Sequence, residues 1–168
     1  SLAEAGEAGN HADRFFYAGT GEIGDGDRWN KSGRSSRRGN VSIMSKRIIH
    51  DMLAKRLVVL DGAMGTELQK NGLPAGSCPE QWCLQNPEIL ADVHRRYVEA
   101  GSDIIYTCTF GANRSKLTQY GLSDEVGVNR ELARIACRAA GDKALVAGDI
   151  GPTGHFVKPF GDLSFDEA

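Results

Sequence analysis

The sequence predicts an α/β fold built from parallel strand–helix units, and three observations lead to this class. Short apolar runs alternate along the chain with longer segments whose apolar residues repeat at helical spacing. Each short run is apolar almost without interruption, which is typical of strands covered on both faces. Each run also ends in polar residues beside glycine. A barrel and a doubly wound sheet both fit this pattern, and both bind ligands at the carboxyl ends of their strands.

The composition is that of a globular protein with little net charge. Of its 168 residues, 40% are hydrophobic and 25% are charged, and the net charge is −2. Such a charge creates no field that would draw the chain to nucleic acid or to an anionic membrane. The sequence has no apolar run of membrane-spanning length and no secretory signal. We therefore expect a cytoplasmic protein with no nucleic-acid or membrane partner.

The first 43 residues differ from the remainder of the chain. They are rich in Gly, Ser and Arg and show neither helical nor strand periodicity. We expect residues 1–43 to be disordered and interpret them as a leader or as the product of a start site placed too early. The folded domain is predicted to cover residues 44–168.

The first half of this domain contains two predicted helices and one strand. Ser45 is expected to cap a helix whose apolar face contains Ile48, Ile49, Met52 and Leu53. Residues 57–60 then predict a strand buried on both faces. Thr66 is placed to cap a short helix that ends near Gly72, and a loop is expected from there to Asn86.

The second half repeats the alternation of helix and strand. A helix is predicted from Pro87 until Gly101 ends it, followed by a strand over residues 104–109. Ser123 is expected to cap a helix over residues 124–140, and residues 144–147 predict the third strand. The remaining residues are predicted to form a loop.

Three segments at the predicted strand ends combine glycine with polar side chains: 61–66, 107–113 and 148–154. Glycine allows the backbone to approach a ligand closely, and a carboxylate at a strand end can accept hydrogen bonds from an ammonium group. An amino acid would suit such a site. The alternative is that Asp61 and Asp149 only cap turns and that the glycines permit tight corners.

Taken together and in this order, the segments resemble the first three strand ends of the homocysteine S-methyltransferase family. The resemblance runs from about Ser45 to Ala168 and includes residues 60–67, 93–105 and 148–154. It implies a (β/α)8 TIM barrel, of which this chain would hold the N-terminal portion. That portion would be about three βα units, so the barrel is incomplete as given.

The resemblance also implies an activity. In this family zinc holds homocysteine as a thiolate, which accepts a methyl group to give methionine. The donor in the methionine synthases is methylcobalamin, so cobalamin and folate domains of the same full-length chain would be partners. Two alternatives stay open: a homocysteine methyltransferase that uses betaine or S-methylmethionine, and a noncatalytic α/β module that binds a small metabolite.

By the same resemblance, nine residues would line the homocysteine pocket: Asp61, Gly62, Ala63, Met64, Gly65, Thr66, Thr109, Phe110 and Asp149. The resemblance places the three cysteine ligands of zinc on later strands, beyond residue 168. We therefore assign no catalytic residue and no metal ligand within this chain.

The cysteines and histidines are given structural roles. The family commonly has Thr-Asn-Thr-Phe where this chain has residues 107–110, so Cys108 departs from its pattern. We interpret Cys108 as a reduced structural thiol, together with Cys78, Cys83 and Cys137, because no further pair or histidine completes a metal site. His94 is expected to face solvent, and no partner is expected to make His155 a base.

Overall fold

The computed structural model describes Phe15–Phe16 and residues 47–166. In chain order the elements are β1 (Phe15–Phe16), α1 (47–53), α2 (Met64–Lys70), α3 (Pro79–Gln85), α4 (Pro87–Glu99), β2 (Ile104–Tyr106), α5 (Arg114–Gln119), α6 (Glu125–Ala140) and β3 (Leu145–Ala147). No helix among these residues is long and apolar enough to cross a bilayer.

The strands form a parallel sheet in the order β1-β3-β2. Leu60 adds a parallel bridge to Ile104 on the free side of β2, and the Asp61 N–H donates to the Ile104 carbonyl at 3.0 Å. The three predicted strand segments therefore lie side by side in sequence order, with α4 and α6 as the connections. This arrangement confirms the α/β class and its parallel units.

The strand β1 is the part of residues 1–43 that the structure describes. Phe15 pairs with Val146 and Phe16 with Ala147, both in parallel register. Strand periodicity gave no signal here, because two residues are too few to show an alternation. The rest of the predicted leader, and the predicted cap Ser45, lie outside the described residues.

The core lies where α4 and α6 pack on each other and on the sheet. One buried cluster joins the helices, and its members are Leu68, Leu73, Cys78, Cys83, Leu90, Val93, Ala112, Leu117, Val128, Leu132 and Ile135. A second cluster joins α4 and α6 to the strands through Val98, Ile105, Ala136, Ala140, Ala144 and Val146. Leu90, Val93 and Val98, which recur at helical spacing along α4, thus form the face that packs.

Several element predictions were wrong in detail. Helix α3 lies within the expected loop, and α5 was not predicted. Both are only six or seven residues long, so neither shows two full turns of apolar periodicity. Thr66 lies inside α2, which begins at Met64 without any side-chain cap.

The cap of α6 is Asp124 rather than the predicted Ser123. The Asp124 carboxylate accepts the Gly127 N–H at 2.9 Å. A side chain at position 127 would collide with that carboxylate, so the glycine that lowers the helix propensity of the first turn is what admits the cap.

Residues 57–60 are not buried on both faces as predicted. The Leu57 side chain is 88% exposed, and Val59 and Leu60 are about half exposed. The apolar face of α1 is only partly buried, and Leu53 is exposed. Among the described residues only Leu60 of this run forms a bridge, to Ile104, so the apolar run marked the position beside β2 but predicted neither a full strand nor its burial correctly.

Candidate functional site

A cavity of about 660 Å³ opens at the carboxyl ends of the strands. Four of the nine residues predicted for the pocket line it: Met64, Gly65, Phe110 and Asp149. The other five, Asp61, Gly62, Ala63, Thr66 and Thr109, do not line the cavity surface. Asp61 accepts the Tyr106 N–H at the end of β2, and Thr109 donates to the carbonyl of Asp149, which does line the cavity.

Asp61 has one carboxylate oxygen in use and one without a partner. Its Oδ2 accepts the Tyr106 N–H at 3.0 Å, whereas its buried Oδ1 has no hydrogen-bond partner. Burial, with a smaller contribution from the charge of Asp149, raises the pKa of Asp61 to about 6. A buried acceptor of this kind is unfavourable unless a donor reaches it, and a cationic donor suits it best.

Two buried threonines connect the end of β2 to the end of β3. The Thr109 hydroxyl donates to the Asp149 carbonyl at 2.8 Å, and the Thr107 hydroxyl lies 2.7 Å from that of Thr109. The Asp149 N–H donates to both hydroxyl oxygens at 3.2 and 3.3 Å. Thr109 therefore positions Asp149, whose carboxyl pKa is raised by burial and by the charge of Glu80.

Glu80 is a residue of the site that the sequence did not reveal. It lies on α3, is only 4% exposed, and accepts the Gly111 N–H on Oε1 at 2.6 Å. Its Oε2 lies 3.3 Å from the Cys78 sulfur. A Cβ at position 111 would come within 2.6 Å of Oε1, so glycine is what permits this contact. Helix α3 was not predicted from the sequence. A glutamate after Pro79 in an expected loop therefore gave no reason to place it at the site.

Lys116 brings a positive charge to the lining of the cavity. Its ammonium lies 4.7 Å from the centre of the Phe110 ring. Lys116 also lies in the first turn of α5, where its N–H donates to the Asn113 side chain at 3.0 Å. The cavity is therefore lined by the carboxylates of Glu80 and Asp149 and by the ammonium group of Lys116, charges of both signs that complement a zwitterion.

The loops after β2 and β3 touch at the rim of the cavity. A Cβ built on Gly151 would collide with the Phe110 carbonyl, so the two backbones are in direct contact. The Asn113 amide also donates to the Pro152 carbonyl at 3.3 Å. The rim is thus one packed structure rather than two independent loops.

His94 is buried on α4, so the prediction that it faces solvent was wrong. It is 0% exposed and neither ring nitrogen has a partner. Burial lowers the pKa of His94 to about 4, so the ring is neutral near pH 7. His155 does line the cavity.

The described residues do not provide a metal site. No group of three or more His, Cys, Asp or Glu side chains within 47–166 is arranged to hold a metal ion. Burial raises the pKa of Cys78, and burial also raises that of Cys137 to about 12. These thiols are poor ligands because metals bind the thiolate form. The side chains of this part of the chain therefore do not fit a zinc ion.

Comparison with known proteins identifies the family. The sequence profile described as homocysteine S-methyltransferase matches residues 58–168. The chain belongs to the homocysteine S-methyltransferase family. It is 36% identical over 115 residues to the methionine synthases of Mycobacterium leprae and Mycobacterium tuberculosis, an alignment that covers 61% of this chain and 10% of each relative.

Other members of the family are similar in sequence and in structure. The homocysteine S-methyltransferase of Escherichia coli is 32% identical over 114 residues, which cover 60% of this chain and 37% of that protein. The metallated form of the homocysteine methyltransferase MmuM of Escherichia coli superposes with a TM-score of 0.55 at 27% identity, over 63% of this chain and 42% of the other. The chain thus spans about a tenth to two fifths of these relatives.

Proposed function

We propose that the protein containing this chain transfers a methyl group to the thiol of homocysteine, giving methionine, and that this chain holds the amino-acid end of the substrate. Family membership supports the reaction class, since the relatives are named methionine synthases and homocysteine S-methyltransferases. The (β/α)8 barrel is part of the same proposal, supported by the parallel units and the partial superposition.

The observation that carries the proposal is a pair of neighbouring carboxylates: Asp149 lines the cavity, and Asp61, whose Oδ1 has no partner, lies close enough for the charge of Asp149 to raise its pKa. A buried carboxylate oxygen without a donor, beside a second carboxylate on Asp149, creates a local demand for positive charge. The α-ammonium group of an amino acid meets that demand with a charge-assisted hydrogen bond. A neutral metabolite would leave both carboxylates uncompensated.

The surrounding residues would position the substrate and limit its contact with water. Thr109 holds the Asp149 backbone, and Glu80 holds the Gly111 amide, so the walls of the cavity are fixed before a ligand arrives. Met64 and Phe110 supply apolar surface beside which a thioether or thiol chain can lie. Alignment and exclusion of water are the main contributions a protein makes to an in-line methyl transfer.

The proposal also includes a zinc ion and a methyl donor. We assign the zinc to ligands other than the described residues, because these offer no suitable group. Methylcobalamin is the proposed donor, on the strength of the similarity to methionine synthases; betaine or S-methylmethionine is the alternative.

Substrate binding tests the role of Asp61. We expect the chain to bind L-homocysteine in a calorimetric titration under reducing conditions, and to bind about tenfold more weakly at pH 5 than at pH 8. The sign follows from the raised pKa of about 6, since the ammonium prefers ionised Asp61 and the carboxyl group is largely protonated at pH 5.

Matched ligands and variants separate this role from a general loss of structure. Asp61→Asn should weaken binding of homocysteine at least tenfold and remove its pH dependence, while leaving binding of 4-mercaptobutyrate, which lacks the amino group, unchanged. Asp92→Asn, on the exposed face of α4, should change neither. Equal losses for both ligands in Asp61→Asn would contradict the assignment.

Methyl transfer by the chain itself provides a second test. We predict that the purified 168-residue chain contains no stoichiometric zinc and forms no methionine from homocysteine with methylcobalamin, betaine or S-methylmethionine. Metal analysis and a chromatographic assay for methionine measure both quantities. Methionine formation together with one zinc per chain would overturn the assignment of the metal to other ligands.

A further inference from the structure

Two cysteines that are distant in sequence meet at the wall of the cavity. The sulfurs of Cys83 and Cys108 lie 4.0 Å apart. Cys83 is completely buried on α3, whereas Cys108 lies just after β2 and lines the cavity. The backbone at Cys108 has φ = 59°, a left-handed conformation that residues other than glycine seldom adopt.

We propose that Cys83 and Cys108 form a reversible disulfide by exchange with a low-molecular-weight disulfide that enters the cavity. Both thiols are free in this structure. A disulfide requires the sulfurs to approach to about 2.05 Å, so the two sulfurs must move together by roughly 2 Å. This inference is independent of the proposed methyl transfer.

The exchange proceeds in two balanced steps. The Cys108 thiolate attacks one sulfur of the small disulfide, forming a mixed disulfide and releasing the first small thiol. Cys83 then loses its proton and attacks the Cys108 sulfur, which releases the second small thiol and leaves the protein disulfide. The protein loses two electrons and two protons, and the small disulfide gains both. An excess of small thiol reverses the reaction.

The environment makes this exchange selective and slow. The hydrogen bond with Cys83 and burial, with smaller effects from the charges of Glu80 and Asp149, raise the pKa of Cys108. The thiolate is therefore scarce at neutral pH, and the rate should rise about tenfold per pH unit as its fraction grows. Cys78 contacts the Glu80 carboxylate, and Cys137 packs beside the second core cluster, away from the cavity.

The disulfide would connect two walls of the cavity. Pro79 and Glu80 contribute to it from α3, and Phe110 and Gly111 contribute from the loop after β2. A covalent bond from Cys83 to Cys108 fixes the position of α3 relative to that loop. The thiol pair thereby couples the redox state of small thiols in solution to the shape of the cavity.

Peptide mapping after oxidation tests the proposal. The reduced 168-residue chain is incubated with glutathione disulfide at pH 7.0 and pH 8.5, alkylated, and digested with a protease that cleaves after glutamate. Cleavage after Glu80 separates Cys78 from Cys83, leaving peptides 81–88 and 100–125 for the pair. We expect these two peptides to be joined, with a loss of two hydrogens, faster at pH 8.5 and reversibly with dithiothreitol.

Variants distinguish this bond from unspecific oxidation. Cys83→Ser should abolish the cross-link and leave glutathione attached to Cys108, whereas Cys137→Ser should not change it. If Cys83→Ser does not fold, Cys108→Ala provides a second variant. We expect no cross-link to Cys83 in it. Glutathione adducts without a cross-link in the unaltered chain, or a bond from Cys78 or Cys137 instead, would overturn the proposal.

Discussion

The helical layer and the exposed segments before β2 and after β3 both contain large apolar residues but have opposite surroundings. Leu90 of α4 and Leu132 of α6 are 0% exposed, because the two helices pack on each other. Leu57 before β2, and Phe160 and Phe165 in the last loop, are almost fully exposed. An apolar residue in the sequence is therefore a candidate for burial. Whether its side chain is buried depends on whether another element packs against it.

The largest expected difference between these regions is in stability. Leu132→Ala should lower the free energy of unfolding by about 3 kcal/mol, because it leaves a cavity in the helical cluster. Leu57→Ala should change it by less than about 0.5 kcal/mol. Urea unfolding followed by circular dichroism measures both. Equal losses would mean that the segment before β2 is as well packed as the helical layer.

A smaller effect is expected from pH at the centre of the helical layer. His94 has a folded pKa of about 4 against an unfolded value of 6.5, so the folded state binds fewer protons. The buried neutral ring therefore leaves the free energy of unfolding at its full value above pH 6.5, and that free energy falls as the pH decreases toward 4. Between pH 7 and pH 4.5 we expect a loss of about 2 kcal/mol from this residue.

His94→Leu isolates this contribution, since it removes the titrating ring while keeping an apolar side chain. The variant should unfold in urea with a stability that falls less between pH 7 and pH 4.5 than that of the unaltered chain. His50→Gln, at an exposed position of α1, should behave like the unaltered chain. An identical pH profile for His94→Leu would show that the buried ring is protonated without penalty.

The smallest expected effect concerns the exposed start of α6. Asp124→Ala should lower the free energy of unfolding by about 1 kcal/mol, because the Gly127 N–H loses its acceptor. Ser123→Ala should have an effect below about 0.5 kcal/mol. Thermal or urea unfolding of the two variants compares them directly. A larger loss for Ser123→Ala would show that Ser123, as the sequence predicts, is the cap of α6.

The sequence predicted those parts of the fold that depend on long periodic segments. Helices α4 and α6 each show several turns of apolar spacing, so their type and approximate extent could be inferred. Helix α3 could not, because a seven-residue helix beginning at Pro79 resembles a loop. The exposure of Leu57 could not be inferred either, since it depends on which elements pack over the strand.

The candidate site residues that follow strands could be predicted from the sequence, whereas those on α3 could not. Asp61 and Asp149 follow strands directly, and the carboxyl ends of parallel strands lie together in any such fold. Glu80 reaches the cavity, and Cys83 reaches Cys108, only because α3 folds back against the loop after β2. Contacts of this kind depend on tertiary packing and have no counterpart in local sequence.

The contact between Gly151 and the Phe110 carbonyl constrains how the cavity can diverge among relatives. Where two backbones touch, neither loop can shift without displacing the other, so insertions or bulkier residues there require simultaneous changes in both. New ligand preferences can arise instead from single exchanges at Phe110, Lys116 or Tyr120, whose side chains face the cavity. Adaptation in this part of the molecule is thus expected to proceed by replacing side chains on an unchanged backbone.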